Sequence, residues 1–480
     1  MSLKKKAFQG FIWTGIENFG TVGISFIVQI FLARLISPEE FGLLGLIVIF
    51  NAIGVTITES GLSQSVIRLQ KPTEDDYFIL FVFNSFISIF IYFIIFFSAP
   101  YISNFYNIPI LESLIKVYAL IIPILALNIV QRTKLTKDLN FKLQATIQIP
   151  SIIISSIIGL TLGYLNYGVW ALIVMQLSQA ILLTIQFWVR SGYVPNGRLI
   201  KKKVLFHLDF GYKLLFSGLI NTIYSNIYPA VIGKFNSTTE VGYFSRASTF
   251  KNVPISIISS VFGKVTYPLL AEIQNEPKRL VETYRRLLRI MLLVVTPIMC
   301  ILFLIAEPLI ILLITDKWLP MAPYFKWLCM SGILFPMHSY YLNAIKIKGR
   351  SDLFLRAEII KKILGGTILF ISASMGIMAI IYGILISSIL GLFVNQYYCR
   401  KVMDYSLFNQ NLDGIRIIFP SLIVMIFTLF IKNKIYFNIN NIFEIILSVS
   451  TFLTLYMISQ YIVNRNSINE FKFLTQMIKK

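Results

Sequence analysis

The chain has 480 residues, 56% hydrophobic and only 14% charged. Soluble globular domains carry charge on about a quarter of their residues, so these figures exclude a soluble fold and leave an all-α polytopic membrane protein. Its 43 basic residues against 22 acidic ones would point to nucleic acid in a soluble chain, but here the positive-inside bias accounts for them and no nucleic-acid partner is expected.

Three cysteines without paired spacing and only two histidines offer no disulfide framework, metal site or catalytic cluster. No Walker-type loop is present, so no nucleotide hydrolysis is expected; no cofactor and no enzymatic activity are assigned.

In chain order, Lys4, Lys5 and Lys6 precede an apolar run of about 25 residues without a small-x-small cleavage site, which reads as a retained first span. Hydropathy then gives fourteen candidate spans, near residues 10–35, 41–63, 77–98, 110–131, 144–165, 168–190, 212–233, 241–270, 290–314, 322–346, 356–376, 379–399, 415–432 and 442–463. The connections after even-numbered spans are basic, as with Arg132, Lys134, Lys137 and Lys142 after the fourth. The opposite connections hold almost no cations, with Lys234, Lys317, Lys432 and Lys434 as exceptions. This alternation places both termini in the cytoplasm.

Arg198–Tyr212 mixes a lysine cluster with Leu199, Val204, Leu205, Phe206 and Leu208, the pattern of an interfacial helix on the anionic leaflet. It suggests a six-helix bundle over 1–197, a linker over 198–211, a second six-helix bundle over 212–404, and two further spans with a tail over 405–480. The segment Ser37-Pro38-Glu39-Glu40-Phe41-Gly42 returns as Ser237-Thr238-Thr239-Glu240-Val241-Gly242, 200 residues later. Each copy joins the first two helices of its half, so the halves form a parallel repeat.

Charges inside spans are costly and therefore informative. The stretch 241–270 holds Arg246, Lys251 and Lys264 and no acid. Lys251 lies roughly 15 Å into this helix, near the bilayer midplane, where reaching either surface is difficult. These cations are read as lining a polar cavity for an anion, with a structural pair to an acid elsewhere as the other reading of Lys251; Lys264 is also near enough to an end to reach the headgroups. Lys116 and Lys326 enter the fourth and tenth spans at depths like that of Arg246. Glu112, one turn before Lys116, offers a local ion pair, whereas Lys326 has no such partner within its own turn. Glu17 and Glu59 occupy similar depths in the first two spans and could share a proton or cation; pairing with Lys264, or capping a helix, would also explain them. His207 reads as interfacial and His338 as packed or facing a polar lumen.

These stretches carry a resemblance. Ser37-Pro38-Glu39-Glu40-Phe41-Gly42, then Glu59-Ser60-Gly61-Leu62, and the run from Ala306-Glu307-Pro308 through Lys317-Trp318, Pro336, Gly349-Arg350-Ser351-Asp352 and Arg356-Ala357-Glu358 are similar to Wzx-type oligosaccharide flippases of the multidrug/oligosaccharidyl-lipid/polysaccharide exporter superfamily. The resemblance runs over essentially the whole chain. It implies two six-helix bundles facing a central lumen, two extra C-terminal helices, and export of undecaprenyl-pyrophosphate-linked oligosaccharide across the bacterial inner membrane for O-antigen or capsule. A polymerase and a chain-length regulator would be partners besides the membrane lipids. It does not assign binding residues. A multidrug/cation antiporter on the same fold is the alternative, but it should favour an acidic lumen. An integral-membrane polymerase would need larger outer loops than the roughly four to ten residues found here.

Overall fold

The computed structural model describes residues 3–59, 61–435 and 440–464, leaving out the side chains of 3–9, 11, 213, 261, 263–265, 267, 268, 271 and 435. Every element among the described residues is helical, and the chain falls into two compact units, Met1–Gly242 and Tyr243–Lys480.

The first unit contains α1 (Leu3–Leu35), α2 (Pro38–Glu59), α3 (Leu62–Arg68), α4 (Glu74–Tyr106), α5 (Ile110–Tyr118), α6 (Ile121–Ala126), α7 (Ile129–Lys137), α8 (Phe141–Tyr164), α9 (Val169–Ser191), α10 (Lys201–Phe235) and the start of α11 (Thr238–Glu272). Helix α8 packs between α1 and α9, and α10 lies along α2. The lysine-rich segment expected at the interface is the opening of α10, continuous with the apolar part of that helix.

Phe86, Phe90, Phe93, Phe97 and Tyr101 repeat at helical spacing on α4 and are 49–78% exposed. Asn84 and Ser88 of the same helix are buried. The aromatic stripe therefore suits hydrocarbon, and the polar residues turn inward.

The second unit continues with the rest of α11, then α12 (Pro277–Leu304), α13 (Ala306–Ile314), a 3-10 turn (Asp316–Met321), α14 (Ala322–Ile333), α15 (Phe335–Ile347), α16 (Ser351–Ala373), α17 (Ile377–Val402), α18 (Leu407–Ile435) and α19 (Asn441–Val463). Helix α12 supplies its centre, burying Leu287, Leu288, Met291, Met299 and Cys300 against neighbours that include α14 and α18.

Among the described residues nine helices are long and apolar enough to span a membrane, or ten if the bent pair Ile110–Ala126 and Ile129–Lys137 counts as one. The sequence reading of fourteen differs because several stretches are broken or polar. The fourth is divided into α5, α6 and α7, with a 41° bend at its last break, and α11 is one continuous helix that carries cations within its apolar run.

Prolines interrupt the hydrogen bonding both at breaks and within continuous helices, since each removes the N–H that would bond the carbonyl four residues earlier. In a membrane that carbonyl needs another donor. Leu304 stands four residues before Pro308, where α12 gives way to α13, and its carbonyl accepts from Lys432 Nζ at 2.8 Å. The carbonyl of Leu293, before Pro297, accepts from the Tyr456 hydroxyl at 3.0 Å. That of Arg416, before Pro420, accepts from Asn464 Nδ2 at 2.9 Å, and that of Thr146, before Pro150, from the Arg190 guanidinium at 2.6 Å.

Candidate functional site

Helix α11 enters the second unit against the 3-10 turn and α14. Tyr243 sets its ring edge-on to Trp318 and Tyr324 and donates from its hydroxyl to the carbonyl of Lys317 at 3.3 Å. Phe250 meets Phe325 edge-on, with centroids 6.3 Å apart. These contacts fix the rotation of the helix and hence the direction of its cations.

Arg246 is buried, 8% exposed. Lys251 is half-buried; its stem passes beside Gly332 of α14, where an added β-carbon would lie 3.6 Å from Lys251 Cγ. No acid or hydrogen-bond acceptor contacts its ammonium among the described residues. A lysine so placed costs folding energy unless water or an anion reaches it. The side chain of Lys264 lies outside the described residues.

The two shallower cations are held by acids. Lys326 Nζ lies 2.5 Å from Glu307 Oε1, an acid from α13 that inspection within its own turn could not supply. Lys116 bonds Glu112 at 2.6 Å and sits 4.8 Å from the centre of the Phe96 ring.

The two carboxylates belong to the first unit. Helix α2 ends at Glu59, and Gly61 turns the chain through a left-handed conformation, φ 67°, into α3. A β-carbon on Gly61 would lie 2.8 Å from Leu214 Cβ and 2.9 Å from the carbonyl oxygen of Gly211, so glycine is required on both conformational and steric grounds. The turn aims the polar face of α3 at that of α7 and leaves a cavity of about 320 Å³. Its polar wall is Glu59, Ser63, Gln64, Arg132, Thr133 and Thr136.

Arg132 also acts electrostatically on the half-buried carboxylate of Glu17. Glu59 thus shares a cavity wall with Arg132, a residue that the sequence alone places only among the basic connections. The spacing 129, 132, 133, 136, one face of a short helix, was the available signal. Lys137 closes the end of α3 by donating to the carbonyls of Ile67, at 2.7 Å, and Leu69.

His207 is buried rather than interfacial, with Ser65 Oγ 2.8 Å from Nδ1 and Asp76 Oδ1 3.2 Å from Nε2. Lys203 adds bonds to Thr73, at 2.7 Å, and Asp75, at 2.8 Å, so this network pins the start of α10 to α3 and α4. All three members of the Ser–His–Asp chain are 5% exposed or less, which leaves no room for a substrate. His338 is held at 3.1 Å by Ser388 and at 3.0 Å by Asn395.

Residues 31–323 match the family model described as "Polysaccharide biosynthesis protein". A Klebsiella pneumoniae protein named "Uncharacterized membrane protein in cps region" is 23% identical, the match covering 84% of this chain and 86% of that protein. "Lipopolysaccharide biosynthesis protein WzxC" of Escherichia coli (strain K12) is 22% identical, covering 85% and 84%. Among solved structures, "Lipid II flippase MurJ, inward closed conformation" superimposes with a TM-score of 0.75 at 14% identity, covering 96% of this chain and all of that one. An inward-facing MATE-family multidrug transporter of the MOP superfamily gives a TM-score of 0.60 at 14% identity, covering 82% and 98%. At such identities these two likenesses concern the fold.

Proposed function

Because the chain belongs to the polysaccharide biosynthesis protein family, we propose that it is a flippase carrying undecaprenyl-pyrophosphate-linked oligosaccharide from the cytoplasmic to the outer leaflet of the inner membrane. The chain crosses the membrane fourteen times, as two six-helix bundles and two added helices, with both termini cytoplasmic. The pyrophosphate and any acidic sugars travel past Lys251 and Arg246 of α11 while the polyprenyl tail stays in lipid. The path alternates between the two sides by rocking of the halves. A proton or sodium ion exchanging at Glu17 or Glu59 supplies the drive. A polymerase and a chain-length regulator act on the product.

The observation that carries the reading is Lys251, a cation in the middle of the long helix α11 with no acid against it among the described residues. An anionic cargo gives such a residue a use; a cationic drug would be repelled by it.

The test is surface polysaccharide measured beside membrane protein level and lipid-linked precursor. Lys251→Ala should stop surface polysaccharide while precursor accumulates and the protein persists in the membrane. Lys251→Glu should be worse, because repulsion is added to the lost attraction. Full export with Glu at position 251 refutes the cationic path.

A further inference from the structure

The cavity between α3 and α7 has a wall that neither a bare anion nor a bare cation explains. An anion site gathers donors, yet Glu59 stands in this wall; a metal-cation site gathers oxygens, yet Arg132 stands there too. The remaining polar lining is Ser63, Gln64, Thr133 and Thr136, groups that both donate and accept hydrogen bonds. Ile67 and Ile129 supply an apolar patch. The volume of about 320 Å³ falls at the small end of ligand pockets, which begin near 300 Å³.

One chemistry uses every part of that wall. A sugar ring presents hydroxyls that donate to a carboxylate and accept from amides and hydroxyls, together with an apolar C–H face. An attached phosphate offers oxygens to the forked guanidinium. We infer that this cavity, in the first unit, seats the sugar nearest the phosphate of a glycosyl phosphate headgroup, with Glu59 on the sugar hydroxyls, Arg132 on the phosphate and Ile67 and Ile129 against the ring face. The inference rests on the proposed flippase reading and adds to it a subsite that recognises the first sugar. It also divides the two acids: Glu59 reads sugar, and Glu17, outside the cavity wall, is left for the coupling ion.

The experiment uses the full chain in nanodiscs with one reporter cysteine, Gln64→Cys, or Ser63→Cys should the first variant fold poorly. Cys300, Cys329 and Cys399 are buried and leave a low labelling background. Maleimide labelling is timed with two probes: the lipid-linked precursor extracted from cells lacking this protein, and sugar-free undecaprenyl pyrophosphate. The precursor should slow labelling about tenfold and the sugar-free lipid much less. Glu59→Gln in the reporter background should raise the precursor concentration needed for protection about tenfold, the effect of one lost charge-assisted hydrogen bond, without changing the weaker effect of undecaprenyl pyrophosphate. Arg132→Gln should weaken both. Equal protection by both lipids, protection by neither, or protection by sodium chloride over choline chloride without any lipid, each overturns the assignment. Failure of precursor to accumulate in cells lacking the protein would instead strike the flippase reading itself.

Discussion

Gly42 and Gly242 each receive the first-turn carbonyl of the other's helix: a β-carbon on Gly42 would lie 1.8 Å from the Thr238 oxygen, and one on Gly242 would lie 1.9 Å from the Pro38 oxygen. The reciprocity gives a physical meaning to the repeated segment. In each copy the serine and the glutamate three residues on cap the helix start. Ser37 N–H donates to Glu40 Oε2 at 3.0 Å and Glu40 N–H to Ser37 Oγ at 3.3 Å; the equivalent distances for Ser237 and Glu240 are 3.3 and 3.2 Å. The repeat conserves three things at once: a capped start, a tight turn, and a bare α-carbon where the two starts cross.

Gly42→Ala and Gly242→Ala should therefore each destabilise the protein by about 2–3 kcal/mol, since a backbone carbonyl must move. The two effects should be similar in size. Thermal unfolding of the purified protein in detergent reads this directly, and Gly366→Ala, where an added β-carbon meets nothing within 4 Å, serves as control. Unchanged midpoints in both variants would contradict the close crossing.

Lys432 is one of the cations that broke the charge alternation, and its contacts explain why it is tolerated. It bonds Glu444 of α19 at 2.7 Å as well as the Leu304 carbonyl. Lys432→Met should leave a partly buried carboxylate and a proline-freed carbonyl without their donor, at a cost of about 2–4 kcal/mol. Adding Glu444→Gln should recover part of the loss, because the uncompensated charge is the larger share. Protein yield and unfolding midpoint of the single and double variants test this; a double variant no better than the single one rules it out.

For coupling, Glu17→Gln should abolish the dependence of flipping on a proton or sodium gradient in proteoliposomes while leaving the protein folded. Glu59→Gln should lower flipping through poorer recognition and keep the gradient dependence. Normal gradient dependence in Glu17→Gln would remove that carboxylate from the coupling step.

Topology has an independent check. Ser237→Cys should label from outside intact cells and Lys202→Cys only after permeabilisation; both positions are exposed in the structure, so access is set by the membrane. External labelling at position 202 would invalidate the assigned orientation.

The sequence by itself determined the membrane class, the apolar helices, the alternating charge and the repeated loop, because each depends on local composition or on a period within one helix. It also located the cations of α11, since a charge within an apolar run is visible without any neighbour. Only the tertiary structure decided which charges are answered. Glu307 lies 19 residues from Lys326, and Glu444 is held to Lys432 from another helix. Asp413 accepts two bonds from Arg285, at 2.7 and 3.1 Å, across 128 positions of sequence. Arg132 and Glu59 come to one cavity wall because Gly61 turns α3 toward α7. Pairing between helices depends on how each is rotated and broken, and those rotations follow from contacts such as that of Phe250 with Phe325, which no single-helix pattern encodes.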